Sequence, residues 1–173
     1  VRTLRQRGRS VRLVAGGYLG ARDKAWFDRL RKNAADLGTA FEYVGSPPDH
    51  ASKAAFLQTL DVLCVPTVYR EPKGIFVLES LGSGVPVVQP AHGSFPEMLE
   101  QTGGGLLYQP DDADALVSSL ERLIDEPALR LRLATEGFAR VREAFSMDAM
   151  VRQTLAVFEA QLQVAQAIPA KQE

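Results

Sequence analysis

Short apolar runs alternate along this chain with longer segments in which apolar residues recur every three or four positions. Val11-Arg12-Leu13-Val14-Ala15 runs into Gly16-Gly17, and Phe41-Glu42-Tyr43-Val44 runs into Gly45. Residues 62–65 stop at Pro66, residues 85–89 stop at Pro90, and Leu106-Leu107-Tyr108 follows three glycines. Each of the five reads as a buried strand closed by turn formers. Helices are predicted between them over 22–37, 51–60 and 74–83, with a short one over 95–101. Such alternation predicts βαβ units, hence an α/β fold with a parallel sheet and helices on both faces.

Beyond Tyr108 the pattern becomes purely helical. Asp112 caps a helix in which Ala113, Leu116, Val117, Leu120 and Ile124 share a face. Pro127 suits the first turn of a second, striped by Leu131, Ala134, Phe138 and Val141. A third begins near Ser146 and carries Val151, Leu155, Phe158 and Leu162. Residues 167–173 hold a proline and little to bury, and are expected to fray.

Composition narrows the function. The 173 residues are enough for one well-packed domain. A formal net charge of −1 gives no electrostatic case for nucleic acid. Arg2, Arg5, Arg7, Arg9 and Arg12 open the chain without an intervening acid. They read as a solvated helix end, or as a peripheral contact with anionic lipid or another domain. The single cysteine, Cys64, lies in an apolar run and reads as a buried, inert thiol. No stretch has the length of a membrane span or the apolar core of a secretory signal, so a cytoplasmic location is expected. His50, His92 and the scattered acids show no metal-ligand spacing, so no metal is expected. His92 and Gly93 open the loop before Pro96-Glu97, where Glu97 reads as an anchor for the short helix.

The chemistry concentrates in Pro66-Thr67-Val68-Tyr69-Arg70-Glu71-Pro72-Lys73-Gly74-Ile75-Phe76-Val77-Leu78-Glu79. Glu71 falls at the carboxyl end of a predicted strand, where open parallel sheets bind their ligands. Glu79 follows inside the next helix. The amides of Gly74, Ile75 and Phe76 form an anion site at that helix's N-terminus, and Gly74 permits close approach. Two carboxylates around such a site suit a ligand with a diphosphate centre and hydroxylated ends, because a carboxylate accepts from two neighbouring hydroxyls. Spacing alone leaves a second reading open: Glu71 stabilises the helix terminus and Glu79 is a solvated helix residue.

The segment resembles the E-x7-E signature of the large retaining glycosyltransferase family 4, which has the two-domain GT-B architecture. The neighbouring S-L-G-S-G-V-P-V-V-Q-P, H-G-S-F-P-E and G-G-G-L-L-Y runs agree with it in order and spacing. The likeness is to the C-terminal, donor-binding domain, from Val11 to about Leu162. It implies a Rossmann-like domain over 1–166 that binds a nucleotide-diphosphate-sugar without metal or other cofactor. Glu71 would grip hydroxyls of the transferred sugar as the catalytic carboxylate, and Glu79 would hold the ribose. The amides of Gly74, Ile75 and Phe76 would meet sugar and phosphates. Gly45 and Ser46 would line the base pocket, and Gly16 and Gly17 would face the donor cleft. Where the family often has E-G-F-G this chain has Glu71-Pro72-Lys73-Gly74, and Lys73 either reaches a phosphate or stays in solvent.

The family sheet has the order 3-2-1-4-5-6. Its first, central strand, and the basic pair that neutralises the diphosphate, have no counterpart here, and the N-terminal acceptor-binding domain is missing too. The expectation is therefore a truncated donor domain of a hexosyltransferase, inactive alone, with its sheet open between the strands at 11–15 and 62–65. The alternatives are a non-catalytic nucleotide-sugar-binding domain and an epimerase-like enzyme of the same architecture.

Overall fold

The structure is a computed structural model, and it describes residues 1–167. Of the tail expected to fray, 168–173 lie outside the described residues, and Ala167 ends the last helix. The elements run α1 (Arg2–Gln6), β1 (Leu13–Gly16), α2 (Lys24–Asn33), β2 (Phe41–Gly45), α3 (His50–Gln58), β3 (Leu63–Cys64) and α4 (Ile75–Gly82). Then come β4 (Val87–Pro90), α5 (Phe95–Thr102), β5 (Gly105–Tyr108), α6 (Ala113–Asp125), α7 (Pro127–Ala144) and α8 (Met147–Ala167). Two short 3-10 turns, Ala21–Asp23 and Ala35–Ala40, flank α2 and divide what periodicity presents as one helix over 22–37. Gly38, at φ +53, breaks the helical path there.

All pairing is parallel, as the βαβ alternation requires, but the strands form two sheets. One has the order β1-β2, the other β3-β4-β5. No ladder joins β1 to β3. Within each sheet the neighbours are those expected.

β4 is the centre. Val87, Val88, Gln89 and Pro90 are all fully buried, because successive residues face opposite sides of the sheet and both sides are covered. Val87 packs with Val77 and Leu81 of α4, Phe95, Met98 and Leu99 of α5, and Val141 of α7. Val88 packs with Tyr108, Leu123 of α6 and Leu133 of α7. The first sheet is less covered than its sequence suggests. Leu13 is 43% exposed, and β2 alternates half-buried with exposed residues. A strand with neighbours on one edge only has fewer side chains to bury against.

The opening arginines are mostly internal clamps. Arg2 pairs with Asp36 at 2.7 Å, Arg7 with Glu121 at 2.5 Å and Arg9 with Asp125 at 2.5 Å. They tie α1 to the turn after α2 and to α6. Exposed pairs of this kind contribute about 0–1 kcal/mol each, so they orient α1 while the burial of Leu4 holds it. The stripe Val151, Leu155, Phe158 and Leu162 exists on α8 but stays 46–61% exposed. Among the described residues no helix is long and apolar enough to cross a membrane.

α7 crosses the sheet at two glycines. A Cβ on Gly137 would stand 2.8 Å from the Cα of Gly104 and 2.8 Å from Leu81 Cδ2. Helix propensity favours Gly137→Ala by about 1 kcal/mol, whereas forcing a methyl into a packed contact costs about 1–3 kcal/mol. Backbone cannot rotate away as a side chain can, so the clash wins. Gly137→Ala should lower the urea midpoint, and Gly82→Ala, whose Cβ would meet only Val141 Cγ1 at 3.8 Å, should leave it unchanged or raise it.

Candidate functional site

The loops at the carboxyl ends of β1, β2 and β3 and the start of α4 carry the candidate residues apart from Glu79, which lies further along α4. Main-chain bonds tie the β1 loop to the β2 loop and the β3 loop to the β4 loop. Gly16 lies opposite Gly45 in the β1–β2 register. The Gly17 amide donates to the Gly45 carbonyl at 2.8 Å, and the Tyr43 hydroxyl donates to the Gly17 carbonyl at 2.7 Å. Gly45 has φ +76, a conformation glycine adopts without strain. Gly16, Gly17 and Gly45 are thus one tied cluster, with Ser46 following directly.

Glu71 folds back on its own loop. Its Oε1 accepts from the amides of Lys73 and Gly74, each at 3.1 Å, and its Oε2 accepts from the Tyr69 hydroxyl at 3.1 Å. These donors, the Gly74 amide first, hold the carboxyl below its ordinary value. The carboxylate therefore does stabilise the start of α4, as one of the two sequence readings had it. The Gly74 amide, expected to meet a ligand, is donated to Glu71. Ile75 and Phe76 remain as amides of the first turn, which have no acceptor within their own helix. Gly74 takes a left-handed conformation, φ +58, and a Cβ there would lie 3.1–3.2 Å from Phe95, Ser94 and Met98. Lys73 is exposed.

Sequence reasoning passed over what grips this loop from behind. The Ser94 amide donates to the Glu71 carbonyl at 2.9 Å. A Cβ on Gly93, φ +60, would stand 2.5 Å from that carbonyl oxygen and 2.7 Å from the Glu71 nitrogen. His92 Nε2 meets the Thr67 carbonyl at 3.0 Å, which assigns the proton of a neutral ring to Nε2. His92 Nδ1, Thr67 Oγ1 and Ser94 Oγ are buried without protein partners. The H-G-S run was visible in sequence, but nothing local says that its backbone lies against Glu71. Glu97 sits on the exposed side of α5, bonded to Gln101 at 3.3 Å.

Glu79 lies in the second turn of α4, half-buried. Its Oε1 accepts from Lys53 Nζ of α3 at 2.8 Å. Lys53 was not a candidate, because the two residues are far apart in sequence and only the packing of α3 on α4 brings them together. One turn on, Phe56 of α3 closes under β1: a Cβ on Gly16 would meet its ring at 2.9 Å. α3 thus touches both the glycine cluster and Glu79. Cys64 on β3 has its thiol pushed up to about 12 by burial and is inert. Among the described residues no group of three or more His, Cys, Asp or Glu could hold a metal ion. A surface hollow of about 560 Å³, lined by Asp28, Arg31, Lys32 and Phe41 among others, lies at the amino end of β2, away from these loops.

Parallel strands whose carboxyl ends carry glycine loops and a helix N-terminus form the kind of edge at which open α/β sheets bind ligands. The family is established by comparison. The description "Glycosyl transferases group 1" matches residues 1–140, and the chain belongs to that family. It is 36% identical over 130 residues to the MMP alpha-(1->4)-mannosyltransferase of Mycolicibacterium hassiacum, covering 74% of this chain and 31% of that protein. It is 29% identical over 132 residues to the phosphatidyl-myo-inositol mannosyltransferase of Mycolicibacterium smegmatis, covering 76% and 34%. The chain thus spans about a third of the length of these curated relatives. Among solved structures it is similar to a sucrose-phosphate synthase from Thermosynechococcus elongatus, with a TM-score of 0.76 at 28% identity, covering 89% of this chain and 39% of that one. Anabaena HepE in complex with UDP has a TM-score of 0.76 at 18% identity, covering 87% and 41%. The C-terminal domain of LpcC from Francisella tularensis has 0.72 at 22%, covering 84% and 75%. The fold is that of the C-terminal domain of GT-B glycosyltransferases.

Gly93→Ala tests how Glu71 is held. The added carbon would overlap the Glu71 peptide and strain a left-handed backbone by about 1–2 kcal/mol. The 68–74 loop should move, seen as faster amide exchange at residues 72–74, while exchange in β4 stays slow.

Proposed function

We propose that this chain is the donor-binding half of a retaining glycosyltransferase. It binds a nucleotide-diphosphate-sugar, and the glycosyl group passes to an acceptor held by a second domain on the same polypeptide. The observation that carries this reading is Glu71 bonded to the start of α4, with Glu79 further along that helix tied by Lys53 to α3, whose Phe56 lies against Gly16. Glu79 accepts the ribose diol. The Ile75 and Phe76 amides, with the dipole of α4, stabilise charge developing on the leaving diphosphate. Glu71 accepts from hydroxyls of the sugar and orients its anomeric carbon. Gly45 and Ser46 line the base, Gly16 and Gly17 border the cleft, and Lys73 adds a positive charge toward the phosphates. HepE, whose fold the chain shares, was captured with UDP, which supports a nucleotide diphosphate as the anchor. The mannosyltransferase relatives support a hexosyl group. The reading needs no metal or organic cofactor, and it places the protein in the cytoplasm, in glycan biosynthesis.

The test is donor binding and turnover by the polypeptide containing both domains. Glu79→Ala should weaken the nucleoside diphosphate itself about ten- to hundredfold, the cost of losing a charged hydrogen-bond partner. Glu71→Ala should leave nucleoside diphosphate binding intact and impair use of the nucleotide-sugar. If both variants bind and turn over like the unaltered protein, the two carboxylates are structural and the reading fails. Because its folded value is depressed, Glu71 stays ionised as pH falls through the ordinary carboxyl value of about 4.3, and loses its acceptor role and its stabilising contribution only below that. Donor use should therefore be insensitive to Glu71 titration down to about pH 5. A chelator such as EDTA should leave turnover unchanged, and a loss restored by magnesium or manganese would overturn the metal-free mechanism.

A further inference from the structure

We propose that Lys53 is a positioning residue for Glu79, fixing the carboxylate that receives the nucleotide's ribose. The inference rests on the reading of Glu79 as the ribose acceptor and extends it to a side chain on another helix.

A glutamate in the second turn of a helix has three rotatable bonds and, left alone, sweeps a wide arc. Here Nζ of Lys53 takes up one position on Oε1 at 2.8 Å. A carboxylate offers about four lone-pair sites, so one ammonium bond narrows the positions open to the group and leaves acceptor capacity for two adjacent hydroxyls. Lys53 is itself held from both ends. Asp49 caps α3 by accepting from the Ser52 amide at 2.7 Å, and the Lys53 amide donates to the Asp49 carbonyl at 3.0 Å. Phe56, one turn later, is lodged against Gly16. The lysine therefore approaches from a helix anchored to β1, and through it the position of the Gly16–Gly45 cluster is coupled to the orientation of Glu79. The pair is half-exposed, with side chains 42% and 28% accessible, and a pair in such a setting adds little to folding stability. Its effect should fall on binding.

The experiment compares the unaltered protein with Lys53→Met, Lys53→Arg and Glu79→Ala. The probe is whichever of UDP, GDP and ADP the unaltered protein holds most tightly, together with its 2′,3′-dideoxy analogue. Lys53→Met keeps the aliphatic stem and removes the ammonium. It should raise Kd for the nucleoside diphosphate, and KM for the nucleotide-sugar, about three- to tenfold, within the lower part of the range for two directly coupled groups. The kcat and Tm should change little. Lys53→Arg should restore most of the affinity. Against the dideoxy analogue, which lacks the diol, Lys53→Met should have no effect. Equal weakening toward both ligands would mean that Lys53 touches phosphate or base directly, and would overturn the proposal. So would unchanged binding by Lys53→Met alongside impaired binding by Glu79→Ala. If Glu79→Ala itself binds normally, or no nucleoside diphosphate binds, the ribose reading falls first and the proposal with it. Should Lys53→Met fold poorly, Lys53→Gln provides the same comparison.

Discussion

The burial of β4 on both faces is the constraint on which the rest of the structure depends. Four consecutive residues without solvent access require a helical layer on each side, and α4, α5, α6 and α7 supply it. A strand so enclosed must pair in parallel with neighbours reached through those helices, so its carboxyl end gathers loops that each lead into a helix N-terminus. The 66–74 loop after β3 and the 91–94 loop after β4 meet there because β3 and β4 are adjacent. Their contact is backbone against backbone, which is why the residue at the crossing is Gly93 and why Glu71 has a defined place at all.

The first sheet depends on that core indirectly. β1 and β2 share no hydrogen bond with β3, and much of their surface stays open to solvent. What joins the two sheets at the site is α3. Phe56 and Lys53, three residues apart, fall on one side of that helix, one against Gly16 and the other on Glu79. Both positions are half-buried, and the lysine head stays partly in water.

Much of this was legible in the sequence for a physical reason: strand and helix periods differ, and glycine and proline punctuate them. All five strands and the helices from α3 onward lie where those signals put them, and Glu71, Gly74 and Glu79 sit on the predicted loop and helix. The family follows from the same linked runs. What was not legible is whatever requires two distant segments to meet. Residue types alone could not show that Lys53 reaches Glu79, that Gly93 abuts Glu71, or that Arg7 and Arg9 answer Glu121 and Asp125 on α6. The local miss is the helix over 22–37, which begins as a 3-10 turn and leaves the helical path at Ala34, φ −97 and ψ 7.

The two sequence readings of Glu71, helix stabiliser and ligand acceptor, are not rivals once the geometry is known. A carboxylate that accepts two main-chain amides is immobile, and its charge is already balanced by the start of α4. An immobile acceptor loses little freedom when a hydroxyl arrives, so the capping bonds lower the entropic cost of recognition. They also keep the carboxyl ionised at pH values where a free one would begin to protonate. Oε2 accepts only from Tyr69, itself 60% exposed. In the proposed function, the oxygen of Glu71 that serves the fold and the one that would face the sugar are therefore different atoms of one group. Glu79 repeats the division: Oε1 is committed to a neighbour within the protein, and the rest of the carboxylate is left to accept.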